Sequence, residues 1–133
     1  MSYSILVVDD SRIVRTMVKK TISMSGMDVR EIYEAENGKQ ALDVLGKEWV
    51  DIVFADLNMP EMSGVEMVEK MSEDNLLVSI PVVIVSSEHS EKRIEELKER
   101  GIRAYIKKPF RPECFTDVVK DVLDGVGGGS DES

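Results

Sequence analysis

Ile52-Val53-Phe54-Ala55-Asp56-Leu57-Asn58-Met59-Pro60-Glu61-Met62-Ser63-Gly64 opens as a short apolar run, stops on a carboxylate and continues into a loop. The run reads as a buried strand and the loop as its exit turn. Three other runs have the same form. Ile5-Leu6-Val7-Val8 stops at Asp9-Asp10, Val82-Val83-Ile84-Val85 at Ser86-Ser87, and Ala104-Tyr105-Ile106 at Lys107-Lys108. Strands of a parallel sheet end on one side, so these side chains can converge there. Carboxylates facing a lysine and a hydroxyl suit a divalent cation together with a phosphoryl group.

Between the runs the apolar period becomes helical. Ile13/Met17 and Val14/Val18/Ile22 mark a helix near 11–25, which Gly26 stops. Val29 to Ala35 alternates weakly and fits an edge strand. Asn37-Gly38 then turns the chain into a second helix carrying Ala41, Leu42, Val44 and Leu45. Val65, Val68 and Met71 trace a third, and Ile94 with Leu97 anchors an otherwise charged fourth near 90–100. Pro81 opens a strand, where its missing N–H does least harm. Pro112 opens the last helix, striped by Phe115, Val118, Val119, Val122 and Val126. Strands and helices alternate five times. That predicts an α/β, flavodoxin-like (βα)5 fold, a doubly wound five-stranded parallel sheet in the order 2-1-3-4-5. Residues 1–125 form the expected domain, and 126–133 read as a flexible, Gly/Ser-rich acidic tail.

The chain has 133 residues, enough for one core, with 42% hydrophobic and 32% charged residues. Its net charge of −9 disfavours DNA, whose backbone demands a basic face. No run approaches the roughly 20 apolar residues of a membrane helix, and the N-terminus lacks signal-peptide character. A single cysteine, Cys114, cannot form an internal disulfide. The cytoplasm is the expected compartment, with protein partners and neither DNA nor membrane.

An aspartate after a strand is more often a helix cap than a ligand. Asp9, Asp10 and Asp56 at one switch point are another matter, because their charges repel unless a cation relieves them. Few ligands and an open loop favour Mg²⁺, and Mn²⁺ also suits aspartates. Lys108, just past the fifth strand, can reach the carboxylates or phosphoryl oxygens. The proline after it makes a cis Lys108–Pro109 bond accessible. Lys107 reads as a solvated charge, Ser87 as a turn hydroxyl, His89 as an exposed loop residue and Trp49 as packing. The methionines read as core and loop filler.

Asp9-Asp10, Asp56-Leu57-Asn58-Met59-Pro60-Glu61-Met62-Ser63-Gly64, Ser86 and Lys108-Pro109-Phe110 together resemble the receiver domain of two-component response regulators. The likeness spans roughly residues 3 to 125, and its single-domain members are nearest in organisation. It implies that Asp56 takes a phosphoryl group from a phosphohistidine of a sensor histidine kinase or phosphotransfer protein. Asp10 and Asp56 would hold Mg²⁺ directly, Asn58 through its backbone carbonyl and Asp9 through water. Lys108 would contact phosphoryl oxygens, while Ser86 and Tyr105 would act as the switch. Asn58 and Glu88 would tune the lifetime of the acyl phosphate. The face of the fourth helix, fifth strand and fifth helix would bind the downstream target, and a phosphatase is a further candidate partner. Such a protein is no conventional enzyme, although it catalyses its own phosphorylation and dephosphorylation. Chemotaxis and a phosphorelay both fit.

Two other classes compete with that expectation. A constitutive interaction module would keep the fold without the switch. A flavodoxin-like cofactor carrier needs a phosphate-cradling loop after the first strand, where Asp9-Asp10-Ser11-Arg12 would instead repel a phosphate in the absence of metal.

Overall fold

The computed structural model describes residues 2–87 and 90–124. Five strands, β1 (Tyr3–Val8), β2 (Val29–Ala35), β3 (Ile52–Ala55), β4 (Val82–Ser86) and β5 (Ala104–Lys107), alternate with five helices. The helices are α1 (Arg12–Met24), α2 (Gly38–Leu45), α3 (Gly64–Ser72), α4 (Glu91–Glu99) and α5 (Pro112–Val119). A wider π-helical turn, Lys120–Asp124, extends the last of them. The sheet is parallel throughout and ordered β2-β1-β3-β4-β5, as the alternation predicts. β2 lies at an edge, which its interrupted alternation anticipates.

Because successive side chains point to opposite faces, each central strand feeds two cores. Leu6, Val8, Val53, Ala55, Val82 and Ile84 pack with α2, α3 and α4. Ile5, Val7, Ile52, Phe54, Val83, Val85 and Ile106 pack with α1 and α5. Burying both faces is what makes these runs continuously apolar, and it stiffens the strand ends that carry the polar residues.

Helix starts are chemically specified. Ser11, Asn37, Ser63 and Ser90 cap α1 to α4 by accepting backbone N–H bonds, and Ser63 with Glu66 forms a reciprocal capping box. Gly26, at φ 84°, and Gly101, at φ 114°, end α1 and α4 in the left-handed region.

Several expectations are corrected. Of the two stripes on α1, only Val18 and Ile22 are buried, with Val14 partly so. Ile13 and Met17 are 74% and 53% exposed. In α3 the buried positions are Gly64, Met67, Val68 and Met71, so Met67 joins the expected stripe, while Val65 is only partly buried against the same core. Trp49 is not core packing. Its side chain is 76% exposed, and its Nε1 donates to Asp51 Oδ1 at 2.9 Å. Met67 and Met71 are core and Met59 and Met62 line the loop after β3, but Met17 and Met24 face solvent. Val126 and the expected 126–133 tail lie outside the described residues.

Candidate functional site

The register between β1 and β3 builds the site. Val7 pairs with Phe54 and Val8 with Ala55, so the next residues along, Asp9 and Asp56, emerge side by side. Asp56 N–H donates to the carbonyl of Val8 at 2.9 Å, which locks that exit. Asp9 is buried, Asp56 half-buried and Asp10 exposed at the rim. One carboxylate oxygen from each of the three lies within 4.8 Å of the others.

Lys108 approaches from the far side of the sheet. Its Nζ stands 3.8 Å from Asp9 Oδ2 and 3.8 Å from Asp56 Oδ1, near both and tightly bound to neither. The backbone behind it is well fixed. Lys108 N–H donates to the Ser86 carbonyl at 2.9 Å, and the Lys108–Pro109 bond is cis. Phe110 stands edge-on to Phe115 at 5.2 Å, and Phe115 stacks edgewise on Phe54 at 5.0 Å. This aromatic row ties the Lys108 turn to the strand that ends in Asp56.

The electrostatics favour an incoming cation. Burial pushes the Asp9 carboxyl above its usual range, and the Asp10 charge adds to this. The Ser11 N–H bond and Lys108 pull the other way without reversing it. Asp56 is likewise raised, first by burial and then by the Asp9 charge, against the lowering influence of Lys108. Buried like charges held apart from full neutralisation are relieved by a hard ion, and an all-carboxylate donor set with one ligand open to solvent fits Mg²⁺ or Mn²⁺.

The other residues singled out by sequence are distributed unequally. Asn58 is exposed in the loop two residues beyond Asp56. Ser86 is the last, buried residue of β4. Tyr105 pairs with Ile84 on β5, so it shares a sheet face with Ser86, two residues further along. Lys107 is exposed and contacts Glu91 of α4 at 3.4 Å, away from the cluster. Glu88 and His89 lie outside the described residues.

The structure also gives roles to residues that motif reading quoted without one or did not single out. Gly64, opening α3, leaves no room for a side chain, since a Cβ there would sit 2.6 Å from the Asp56 carbonyl oxygen. Its N–H donates to the Leu57 carbonyl at 3.1 Å, closing the acceptor loop. Gly38 similarly presses on Met62 and donates to its carbonyl, so α2 braces the same loop. Arg15 is 9% exposed, with Nη1 2.7 Å from the Asp9 carbonyl and Nε 3.0 Å from Glu34. Its signal was in the sequence: residue 15 falls on the buried 15/18/22 stripe of α1, where a cation needs a reason to be.

With this geometry in view, residues 5–120 match the family described as the response regulator receiver domain. The chain belongs to the response regulator receiver family. Among curated receiver proteins, the chain is 37% identical over 126 residues to a "Chemotaxis protein CheY homolog" of Campylobacter jejuni, covering 94% of this chain and 95% of that one. It is 34% identical over 128 residues to "Chemotaxis protein CheY1" of Helicobacter pylori, covering 96% and 98%. Among solved receivers, the chemotaxis response regulator CheY4 of Vibrio cholerae superposes with a TM-score of 0.81 at 31% identity, covering 92% and 100%. Receiver domains bind Mg²⁺ at an acidic pocket, and this chain carries an acidic cluster of Asp9, Asp10 and Asp56. Among the described residues no helix is long and apolar enough to cross a membrane.

Proposed function

We propose that this receiver is a phosphorylation-controlled switch in which Asp56 is the phosphoacceptor. The observation that carries the reading is the convergence of three carboxylates and one lysine at the ends of β1, β3 and β5. Phosphoryl transfer asks chiefly for positioning and charge neutralisation, and a carboxylate cluster with one lysine is suited to supply both.

In this reading a carboxylate oxygen of Asp56 attacks the phosphorus of a kinase or phosphotransfer-protein phosphohistidine. The P–N bond breaks, and its electron pair leaves on the imidazole nitrogen. Asp10 and Asp56 would hold the cation directly, Asp9 would hold it through water and Asn58 through its backbone carbonyl. Bound Mg²⁺ supplies positive charge to the phosphoryl oxygens. Lys108 moves from its shared position between Asp9 and Asp56 onto those oxygens. Ser86 and Tyr105 respond as the switch, and the α4-β5-α5 face changes its affinity for a target protein. Hydrolysis returns the Asp56 carboxylate and inorganic phosphate, at a rate tuned by Asn58 and Glu88. The chemotaxis names of the relatives support motility as the output, with a phosphorelay step as the neighbouring possibility. A cytoplasmic site of action follows from that role.

Incubation with Mg²⁺ and a small acyl phosphate is expected to add one phosphate by intact mass. Peptide mapping places it on Asp56, and Asp56→Asn stays unmodified. Phosphate on another residue, or none on the wild type, overturns the reading. Target binding by Asp56→Asn that equals wild type and ignores the phosphodonor would instead establish the constitutive module.

A further inference from the structure

We propose that Arg15 is a positioning residue for the cation site, holding the Asp9–Asp10 peptide in the orientation in which the three carboxylates converge. The inference rests on the reading that these carboxylates bind a divalent cation.

Arg15 sits where a cation is least expected. It is the fourth residue of α1, close to the positive end of the helix dipole, and it is 9% exposed. Its charge also lies beside a site meant to attract another cation. Both effects oppose placing a guanidinium here, so the placement needs a compensating role. Glu34, on the edge strand β2, supplies the counter-charge through a 3.0 Å bond to Nε, and Lys19 joins Glu34 at 2.8 Å.

What Arg15 gains in return is a bond to one backbone atom. Nη1 donates to the carbonyl of Asp9 at 2.7 Å, the oxygen of the peptide that links Asp9 to Asp10. The other contacts of Asp9 complete a clamp. Its N–H donates to the Ala35 carbonyl at 3.1 Å, and its Oδ1 accepts from Ser11 N–H at 2.9 Å. Rotation of the Asp9–Asp10 peptide would swing Asp10 away from Asp56, and Arg15 is the group that blocks this rotation. Its planar fork reaches Glu34 and the carbonyl at once, which a lysine ammonium cannot match in geometry. Outer groups of this kind fix the directions of metal ligands, and their loss typically weakens binding about 10- to 100-fold.

Charge and position make opposite predictions, which renders the idea testable. If only the charge of Arg15 mattered, neutralising it would tighten cation binding. If Arg15 positions the loop, neutralising it weakens binding. The test is Mn²⁺ affinity of the full chain by water-proton relaxation, alongside melting curves in EDTA. Wild type is expected to bind. Arg15→Gln should raise Kd by about 10-fold or more, with Arg15→Lys falling between the two. A folded Arg15→Gln with unchanged or lower Kd overturns the inference, even if its melting temperature drops. Should Arg15→Gln fail to fold, Glu34→Ala removes the anchor of Nε instead, and an unchanged Kd in that variant overturns the inference equally. Absence of Mn²⁺ binding by the wild type sinks the cation reading itself, a result distinct from either.

Discussion

Replacing Asp56 with asparagine should make the metal-free protein more stable. Asp56 meets Asp9 within 4.8 Å and Lys108 at 3.8 Å. At an effective dielectric of about 20 these amount to about 3.5 kcal/mol of repulsion and about 4.4 kcal/mol of attraction. The two nearly cancel, so burial decides, and burial disfavours the charged form. Asn is nearly isosteric and its amide oxygen can still accept the Leu57 N–H bond that Asp56 accepts. The net gain expected is about 1–2 kcal/mol, or a rise in Tm of about 5 °C for a domain of this size.

The sign also reverses with ligand and fades with acid. Mg²⁺ at 100 times its Kd should stabilise wild type by about 2.7 kcal/mol and Asp56→Asn by much less. The wild-type Asp56 carboxyl titrates above its ordinary value, so between the unfolded and folded values the native state binds more protons. The penalty in wild type is therefore full above the folded value and disappears as pH falls through the unfolded one. The assay is thermal melting of both proteins in EDTA and in Mg²⁺ at neutral pH, repeated toward acid. A lower Tm for Asp56→Asn in EDTA, or an equal Mg²⁺ gain in both proteins, would refute the argument.

Other expectations follow from single contacts. Gly64→Ala drives a Cβ against the Asp56 carbonyl and should cost about 2 kcal/mol in urea denaturation, whereas Gly46→Ala, with nothing nearer than 3.5 Å, should be neutral or slightly stabilising. Equal costs at the two glycines would remove the steric argument. Lys19 and then Arg15 hold the Glu34 carboxyl below its usual range. Its contribution is therefore present above the unfolded value and lost as pH falls through the folded one. The stability difference between wild type and Glu34→Gln should stay under about 1 kcal/mol because Glu34 is a third exposed, and it should vanish in acid. A difference that grew on acidification would contradict this. Trp49 lies before β3, at the opposite end of the sheet from the carboxylates, so its fluorescence should be quenched by acrylamide and unchanged by Mg²⁺. A protected indole, or a large Mg²⁺ response, would count against its placement.

The fold was legible because the chain writes the same sentence four times, an apolar run followed by a helical stripe, with the weaker β2 as a fifth, interrupted copy. Strand ends were legible for the same reason: a reactive residue directly after a doubly buried strand has one place to go. What periodicity does not contain is phase. On α1 the Ile13/Met17 and Val14/Val18/Ile22 stripes are adjacent, and only the sheet decides which is covered. On α3 the stripe of Val65, Val68 and Met71 left out Met67, which is more deeply buried than Val65. Trp49 misled because indole area argues for burial, while its N–H found Asp51 at the surface. Arg15 and Gly64 were missed because each acts on the backbone of the site and not on a reacting group. One holds a carbonyl, and the other clears space for one.

Contiguity from the site to α4 does not by itself make a switch; an element with two available positions is also required. The carboxylates connect to that region through Lys108, whose N–H is bonded to the Ser86 carbonyl, and through Lys107, which meets Glu91 on α4. In the proposed switch α4 is the element asked to supply the second position. Its buried anchors are Ile94 and Leu97, whereas α3 buries Met67, Val68 and Met71 along with its opening glycine. One tie to β5, the Lys107–Glu91 ion pair, is exposed and worth about 0–1 kcal/mol. This lightly anchored helix follows the strand β4, whose last residue, Ser86, accepts the Lys108 N–H through its carbonyl. A modest electrostatic change at Asp56, of the size argued above, is comparable to what the exposed Lys107–Glu91 pair contributes to holding α4 on β5. In the core faces of β1 and β3 the same energy would be absorbed without movement, because every neighbour there is fixed by close packing. The proposed switch thus depends as much on what α4 lacks as on what Asp56 carries.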